Sequence, residues 1–382
     1  MIPYGKHSVA QQDIDAVVDV LNNKFLTQGE TVPAFEAALC DYTGAAYCVA
    51  VNSGTSGLHV ACLAAGVGPG DLVWTSPNSF VASANCARYC GADVDFVDID
   101  PQSRNLSVLA LEAKLEVAKH AGRLPKALIV VHFAGLSCDM QAIHALTEPL
   151  GIVIIEDAAH ALGGHYQSLP IGKCQYSDMA VLSFHPVKSI TTAEGGAVVT
   201  NSTALAKRLV QFAKHGITRD PQEMTEQQGD WYYQQLTLGY NYRLSDLHAA
   251  LGLSQLQRLP DFIAKRRALA HRYHYLLQDL PLQLPQPNNI DSDQSAWHLY
   301  MIEVLEHERK SVFDALRKAN IGVNVHYIPI HLQPYYRELG FKPGQFENAE
   351  MFYTRAITLP LYPELTEQDQ DKVVQTLHEV LS

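Results

Sequence analysis

Short apolar runs alternate with segments of helical periodicity over the first two-thirds of the chain. The runs are rich in β-branched residues and cover 46–51, 72–75, 94–99, 127–132, 152–157, 179–184 and 196–200. Runs that are predominantly apolar suit strands buried on both faces of a sheet. The helical segments between them, such as 109–119, supply the crossovers. The pattern therefore predicts an α/β sheet.

The pattern changes after about residue 245. A long helical segment follows, and Pro260 predicts an interruption within it. Residues 297–304 then read as a strand and residues 310–318 as a helix. We predict two domains, a large α/β domain at 1–250 and a smaller C-terminal α+β domain at 251–382.

Composition and charge exclude several classes of function. The 382 residues carry 40 acidic and 28 basic side chains, a net charge of -12, which argues against a bulk nucleic-acid binder. No stretch approaches the length of a membrane span, and the start lacks the pattern of a signal peptide, so a soluble cytoplasmic protein is expected. The seven cysteines show no zinc-site spacing, so we expect no metal and reduced, packing cysteines.

The stretch NSGTSGLH, residues 52–59, has the pattern of an anion-binding loop. It follows a predicted strand and opens a helical run; Gly54 allows close backbone approach, and Thr55 and Ser56 offer hydroxyls. The free N–H groups and the dipole of the helix would favour an anion. An N-capped helix without a ligand explains the same residues and stays open. The Gly-Lys-Ser/Thr ending of a Walker A loop is absent.

Two further groups follow later strands. Asp157 ends the apolar run 152–157, where a carboxylate costs several kcal/mol unless it meets a cation or hydrogen bonds. It is either a salt-bridge partner or an acid that keeps a pyridinium nitrogen protonated. Lys188 follows the next run and is either a solvated surface lysine or an amine that forms an imine. The order of anion loop, acid and lysine favours the chemistry of a pyridoxal cofactor.

Five motifs carry a resemblance to a known family. They are NSGTSGLH, TSPNSFVASANC, IIEDAAHALGG, SFHPVKSITTAEGGAVVTN and GYNYRLSDLHAALGLSQL. In this order and spacing they resemble the pyridoxal-phosphate (PLP)-dependent sugar-nucleotide aminotransferases of the DegT family. The resemblance runs from end to end and implies the fold-type-I architecture, with a mostly parallel seven-stranded sheet in the large domain. FLTQG and VHYIPIH most resemble the 4-aminotransferases of the pseudaminic acid pathway.

The resemblance implies roles for individual residues. Lys188 would join covalently to the PLP aldehyde and, once freed, carry the proton between cofactor and substrate carbon, while Asp157 would pair with the pyridine nitrogen. Phe80 would stack on the ring, and His160 would lie near the ring hydroxyl, where many relatives carry glutamine. The implied cofactor-binding set is Gly54, Thr55, Ser56, Phe80, Asp157, His160, Ser183, Lys188 and Asn241. Asn241 would reach the phosphate of the partner subunit, which implies a homodimer with composite sites.

The implied substrates are an amino acid, by analogy L-glutamate, and a UDP-linked 4-keto-6-deoxy-N-acetylhexosamine aminated at C4. The implied substrate contacts are Tyr4, Lys24, Thr27, Arg243, His326, Tyr327 and His331. His326 and His331 could instead form a hydrogen-bonded turn or a metal-ligand pair, and metal ranks last because no third ligand follows at a suitable spacing. A keto-sugar of another type, with a C3 ketone or another C4 epimer, and an amino-acid-modifying PLP enzyme of the same fold remain alternatives.

Overall fold

The computed structural model describes residues 1–285, 294–305 and 308–381. The helices in these residues are α1 (Gln11–Asn23), α2 (Thr31–Thr43), α3 (Gly54–Ala64), α4 (Ala82–Tyr89), α5 (Val108–Ala121), α6 (Met140–Thr147), α7 (Thr203–Ala213), α8 (Asp246–Leu277), α9 (Arg309–Lys318), α10 (Pro334–Glu338), α11 (Glu347–Arg355) and α12 (Glu367–Leu381). The strands are β1 (Tyr47–Val51), β2 (Leu72–Thr75), β3 (Asp93–Phe96), β4 (Ala127–Val131), β5 (Val153–Asp157), β6 (His165–Tyr166), β7 (Leu169–Pro170), β8 (Met179–Ser183), β9 (Gly196–Thr200), β10 (Ile217–Thr218), β11 (Gln234–Gln235), β12 (Leu282–Gln283), β13 (Tyr300–Val304) and β14 (Ala356–Leu359).

The seven predicted apolar runs form one seven-stranded sheet in the order β1-β9-β8-β5-β4-β2-β3. The pairs from β8 through β5, β4 and β2 to β3 are parallel, and β9 runs antiparallel to both β8 and β1. The mostly parallel α/β sheet is therefore confirmed. The run 94–99 leaves the sheet after Phe96, and the Asp98 carboxylate instead accepts the amides of Asn348 and Ala349 at the start of α11.

Helices cover both faces of this sheet. On β8, Met179 and Val181 face a core that includes α3, α4 and α7, whereas Ala180 and Leu182 face a core with α2 and α8. Side chains alternate across a strand, so two apolar faces require a run without polar gaps. The double burial explains why the sequence signal was so clear. Because β5 and β8 are parallel, their carboxyl ends lie at the same edge of the sheet.

The α8 helix differs from expectation. It is a single helix of 32 residues with Pro260 inside it, so the predicted interruption is wrong. Pro260 is exposed, which lets water satisfy the carbonyl that loses its hydrogen bond. The Asp246 carboxylate, at the start of α8, accepts the amides of Gly29, Thr31 and Val32. The division predicted at residue 250 falls inside α8 and stays a prediction.

A three-stranded antiparallel sheet of β12, β13 and β14 packs against the last turns of α8. The predicted strand 297–304 begins only at Tyr300. Ahead of it Trp297 has a φ of 46°, and the amide of His298 donates to Ala134 O at 2.9 Å, so this segment follows a neighbouring turn rather than a strand. None of the described helices has the length and apolar character needed to cross a membrane.

Candidate active site

A cavity of about 420 Å³ opens where β1, β5 and β8 end. The sequence-predicted residues that line it are Tyr4, Gly54, Thr55, Phe80, Asp157, His160, Ser183, Lys188, His326 and Tyr327. Side chains that the sequence did not single out as candidates complete the wall: Ser79, His185, Glu194, His298 and Asn324. Residues more than 300 positions apart in the chain therefore share one concave surface, as expected at the carboxyl edge of an open α/β sheet.

Lys188 projects into this cavity from the loop after β8. Its amide donates to His185 O at 2.9 Å, and the loop closes where the Thr192 amide donates to Phe184 O at 3.0 Å. Among the described residues no acceptor bonds its Nζ atom. Burial lowers the pKa of Lys188 to about 8, and the nearby charge of Asp157 partly opposes that fall. The amine of Lys188 therefore loses its proton more readily than the amine of an exposed lysine.

Asp157 is the last residue of β5 and is 6% exposed. Its Oδ2 atom accepts a hydrogen bond from the Ser83 hydroxyl at 2.7 Å, and its Oδ1 atom accepts the Ala159 amide at 3.2 Å. These two bonds fix the orientation of the carboxylate at the end of β5. Asp157 and Lys188 line the same cavity, close enough for the charge of one to act on the other.

The first turn of α3 lies at one end of the cavity. Ser53 caps the helix by accepting the Ser56 amide at 3.0 Å, which leaves the amides of Gly54 and Thr55 without intrahelical acceptors. A Cβ atom at Gly54 would lie 2.9 Å from the Ser183 Cβ, so glycine allows this turn to approach Ser183. The two free amides and the hydroxyls of Thr55 and Ser183 therefore lie at the positive end of the α3 dipole.

Ser56, which was predicted to bind the cofactor, does not line the cavity. Its hydroxyl donates to the Asn52 Oδ1 atom at 2.6 Å and lies 2.9 Å from the Ser53 hydroxyl. The side chain therefore bonds to the loop that precedes α3, and its role toward the cofactor stays a prediction.

One wall of the cavity is aromatic and uncharged. The rings of His160 and His298 lie 4.3 Å apart, and the His160 Nε2 atom is 3.3 Å from the Tyr327 hydroxyl. Burial holds the pKa of both histidines well below the usual value, and the charge of Lys188 adds to the effect. Phe80 is 57% exposed, with its ring 6.2 Å from that of Tyr327. A planar ligand would meet aromatic surface here rather than charge.

Tyr4 and His326 close the cavity on the side of the C-terminal residues. Their rings lie 5.6 Å apart, and the His326 Nδ1 atom is 2.7 Å from the Thr358 hydroxyl. Burial, with a smaller effect of Lys188, lowers the pKa of His326 to about 4. His326 is therefore neutral near pH 7, and its role toward a substrate is that of a hydrogen-bonding group rather than a cation.

Besides Ser56 and His331, four predicted residues lie outside the cavity. Lys24 is exposed and pairs with Asp19 and Glu30. Thr27 and Asn241 are exposed, and Arg243 is half-buried beside the end of β1. The sequence-based roles of Asn241 and Arg243 require a second subunit, so their roles stay predictions.

His331 does not line the cavity, and its role as a substrate contact stays a prediction. It is fully buried, its Nε2 atom lies 2.9 Å from the Glu350 carboxylate, and its ring packs 4.7 Å from that of Phe346. No surface of His331 reaches the cavity. It joins the segment after Tyr327 to α11.

Ser83 and His298 are site residues that sequence reasoning missed. Ser79 and Ser83 stood in the quoted motif TSPNSFVASANC at a spacing of four, which places them on one face of a helical turn. That spacing could have indicated that the two serines act together at the site. His298 had none, since it reaches the cavity only through the bonds of its segment to the turn at residues 134–135.

Comparisons with known proteins agree with this geometry. The chain is 37% identical over 386 residues to the spore coat polysaccharide biosynthesis protein SpsC of Bacillus subtilis, covering 100% of this chain and 97% of that protein. Helicobacter pylori PseC, an aminotransferase involved in the biosynthesis of pseudoaminic acid, superimposes with a TM-score of 0.89 at 31% identity, covering 100% of this chain and 99% of that one. The PLP form of the putative sugar aminotransferase Spr1654 from Streptococcus pneumoniae superimposes with a TM-score of 0.88 at 28% identity, covering both chains completely. A family model matches residues 7–378, and the chain belongs to the DegT/DnrJ/EryC1/StrS aminotransferase family.

Proposed function

We propose that this protein is a PLP-dependent sugar-nucleotide aminotransferase. It moves an amino group from an amino acid, L-glutamate by analogy, to C4 of a UDP-linked 4-keto-6-deoxy-N-acetylhexosamine. The observation that carries the proposal is the shared cavity of Lys188, whose pKa is lowered to about 8, and the buried, hydrogen-bonded Asp157. A surface lysine would keep its usual pKa, and a carboxylate without a cationic partner would be costly at a buried strand end.

The residues present fit the cofactor. The free amides of α3, with Thr55 and Ser183, suit the dianionic phosphate. Phe80 offers an exposed aromatic face, and the buried His160 Nδ1 atom has no partner among the described residues. When bound, PLP supplies an electron-withdrawing ring that stabilises the negative charge left when a C–H bond breaks. Asp157 would hold the ring nitrogen protonated, and Lys188 would be the point of covalent attachment.

Lys188 has a second task as an acid and base. Its Nζ atom would take the proton from the α carbon of the amino acid in one half-reaction and deliver a proton to C4 of the sugar in the other. A base is most effective when its pKa lies near the working pH, and burial supplies this condition at about 8. His326 and Tyr327, both neutral, would orient hydroxyl groups of the sugar without competing for the proton.

The cavity within one subunit supports a homodimer with composite sites. Among the described residues that line it there is no arginine, although an amino-acid donor brings a carboxylate. The exposed Asn241 and the half-buried Arg243 flank Tyr242, whose carbonyl accepts the Asn52 amide at 2.8 Å. In our proposal this segment reaches the cavity of the partner, where Asn241 binds the phosphate and Arg243 the carboxylate.

The substrate assignment draws on the relatives. PseC is named as an aminotransferase involved in pseudoaminic acid biosynthesis and SpsC as a spore coat polysaccharide biosynthesis protein. Both names point to activated sugars. Tyr4, Asn324 and the neutral His326 give the open side of the cavity the hydrogen-bonding groups that a hexose ring requires.

Two measurements test the proposal. The purified protein incubated with PLP should show visible absorbance that L-glutamate bleaches; absence of that band would refute the cofactor assignment. A panel of UDP- and dTDP-linked 3-keto and 4-keto sugars, with glutamate, should then give one aminated product, whose new C–N bond NMR locates.

Lys188→Ala should retain bound cofactor and lose turnover, and wild-type turnover in this variant would end the assignment of Lys188. Conversion of an amino acid without amination of any sugar in the panel would favour the alternative enzyme class.

A further inference from the structure

Two buried serines form a hydrogen-bonded chain that ends on Asp157. The Ser83 hydroxyl donates to Asp157 Oδ2 at 2.7 Å, and the Ser79 hydroxyl lies 2.6 Å from that of Ser83. The exposed fractions of the side chains are 1% for Ser83 and 4% for Ser79. Ser79 lines the cavity, whereas Ser83 lies behind it.

The direction of this chain follows from the chemistry of its end. An ionised carboxylate only accepts, so Ser83 must donate its single proton to Asp157. Ser83 therefore accepts from Ser79, and both hydroxyl rotors are set by the charge of Asp157. Hydrogen bonds in such a series strengthen one another. The chain thus favours one orientation of the carboxylate.

The fold fixes both serines on a single short segment. After β2 ends at Thr75, the chain leads into α4, and the Ser83 amide donates to Phe80 O at 3.2 Å in the first turn. The same turn therefore presents Phe80 to the cavity and Ser83 to Asp157. Asp157 belongs to β5, which β4 separates from β2 in the sheet, so this contact is made only in the folded protein.

We propose that Ser83, backed by Ser79, is a positioning residue that aims the Asp157 carboxylate at the cofactor's ring nitrogen. This inference rests on the proposed function. Ser83 acts through Asp157 and touches neither cofactor nor substrate. The titratable groups that face Asp157 from other elements are Lys188 and Tyr327, and both respond to its charge.

The test compares Ser83→Ala with the wild-type holoprotein. Loss of the donor makes the anion of Asp157 less stable, so the ring nitrogen holds its proton less firmly and the ring becomes less positive. A less positive ring increases the proton affinity of the Lys188 nitrogen. The pH midpoint of the visible band should therefore rise by about one unit, as expected for loss of one hydrogen bond to a charged group. The dissociation constant for PLP, from a fluorescence titration, should increase about tenfold.

Three variants separate positioning from structure. Ser83→Thr keeps the hydroxyl and should restore the midpoint. Ser254→Ala removes another buried serine-to-carboxylate bond, 2.6 Å to Asp13, far in sequence from the site, and should leave the midpoint unchanged. Ser79→Ala should give a smaller rise and carries the test if Ser83→Ala does not fold.

A wild-type midpoint and a wild-type dissociation constant in Ser83→Ala would overturn the inference; so would a wild-type midpoint in Ser79→Ala if only that variant folds. An equal shift in Ser254→Ala would also overturn it, because the effect would then be one of general stability. Failure of the proposed function is distinct, since the unmodified protein would then show no visible band with PLP.

Discussion

Replacing Asp157 with asparagine should make Lys188 more acidic. The amide keeps the shape of the carboxylate and removes its charge, which at present opposes the effect of burial on Lys188. The pKa of Lys188 falls from the usual 10.5 to about 8, a net change worth about 3 kcal/mol at about 1.4 kcal/mol per unit. At about pH 7.5 roughly a quarter of the molecules then carry a neutral amine, against about one in a thousand for a solvated lysine.

An opposite charge within about 4–6 Å shifts a pKa by about 1–3 units, and solvent in the open cavity favours the lower limit. We therefore expect the pKa of Lys188 to fall to about 7 in Asp157→Asn. The neutral fraction at about pH 7.5 would rise about threefold. The pKa of Lys188 must fall rather than rise, because the carboxylate that is removed stabilises the protonated amine.

Competitive labelling of the cofactor-free protein measures this directly. A limiting amount of an amine reagent is applied across a pH series, and mass spectrometry gives the labelled fraction of the peptide that carries Lys188. Glu194→Gln is the matched control, since Glu194 lines the same cavity but is exposed and does not act on the pKa of Lys188. A wild-type midpoint near 10.5, or equal midpoints in the wild type and Asp157→Asn, would refute the reasoning.

Three further predictions follow from other parts of the structure. Mixed dimers of Lys188→Ala and Asn241→Ala subunits should regain activity through one intact composite site per dimer; assays of reassembled mixtures that show no complementation would exclude a shared site. Gly54→Ala should weaken PLP binding about tenfold in a fluorescence titration, because its Cβ would lie 2.9 Å from the Ser183 Cβ, whereas Gly68→Ala meets nothing within 4 Å and should bind normally. Although burial alone lowers the pKa of His132, its interactions with Cys138 and Glu156 raise it to about 10, so its contribution to folding stability should be complete below pH 6.5 and lost as the pH rises toward 10. Urea midpoints across this range should show the loss in the wild type and not in a His132→Gln variant.

The apolar runs that predicted the strands also made the charged residue at the end of one of them easy to recognise. Strands buried on both faces need unbroken apolar runs, so the seven strands were visible without any alignment. A charged group at the end of such a run is conspicuous, as Asp157 was. Helical propensity was less informative, since it predicted a break at Pro260 that an exposed position in α8 tolerates.

Features that depend on tertiary packing were beyond the sequence. His326 and His331 stand five residues apart in one motif, yet only His326 reaches the cavity and His331 packs against Glu350. No periodicity distinguishes them. His298 arrives at the site because its amide binds Ala134, more than 160 residues earlier in the chain. Lys24 and Thr27 are exposed and do not line the cavity, so their role in substrate binding stays a prediction.

The proposed chemistry makes opposite demands on two neighbouring groups. Asp157 must stay charged at the pH at which Lys188 loses its charge, yet the negative charge of Asp157 itself favours the protonated amine. Burial lowers the pKa of Lys188 to about 8, and the charge of Asp157 only partly opposes that fall. The two groups also differ in their hydrogen bonds: Asp157 accepts from Ser83 and from the Ala159 amide, whereas Lys188 has no acceptor among the described residues. Burial of the amine therefore accounts for its loss of charge near pH 8, while the hydrogen bonds of Asp157 hold its carboxylate in place beside that amine.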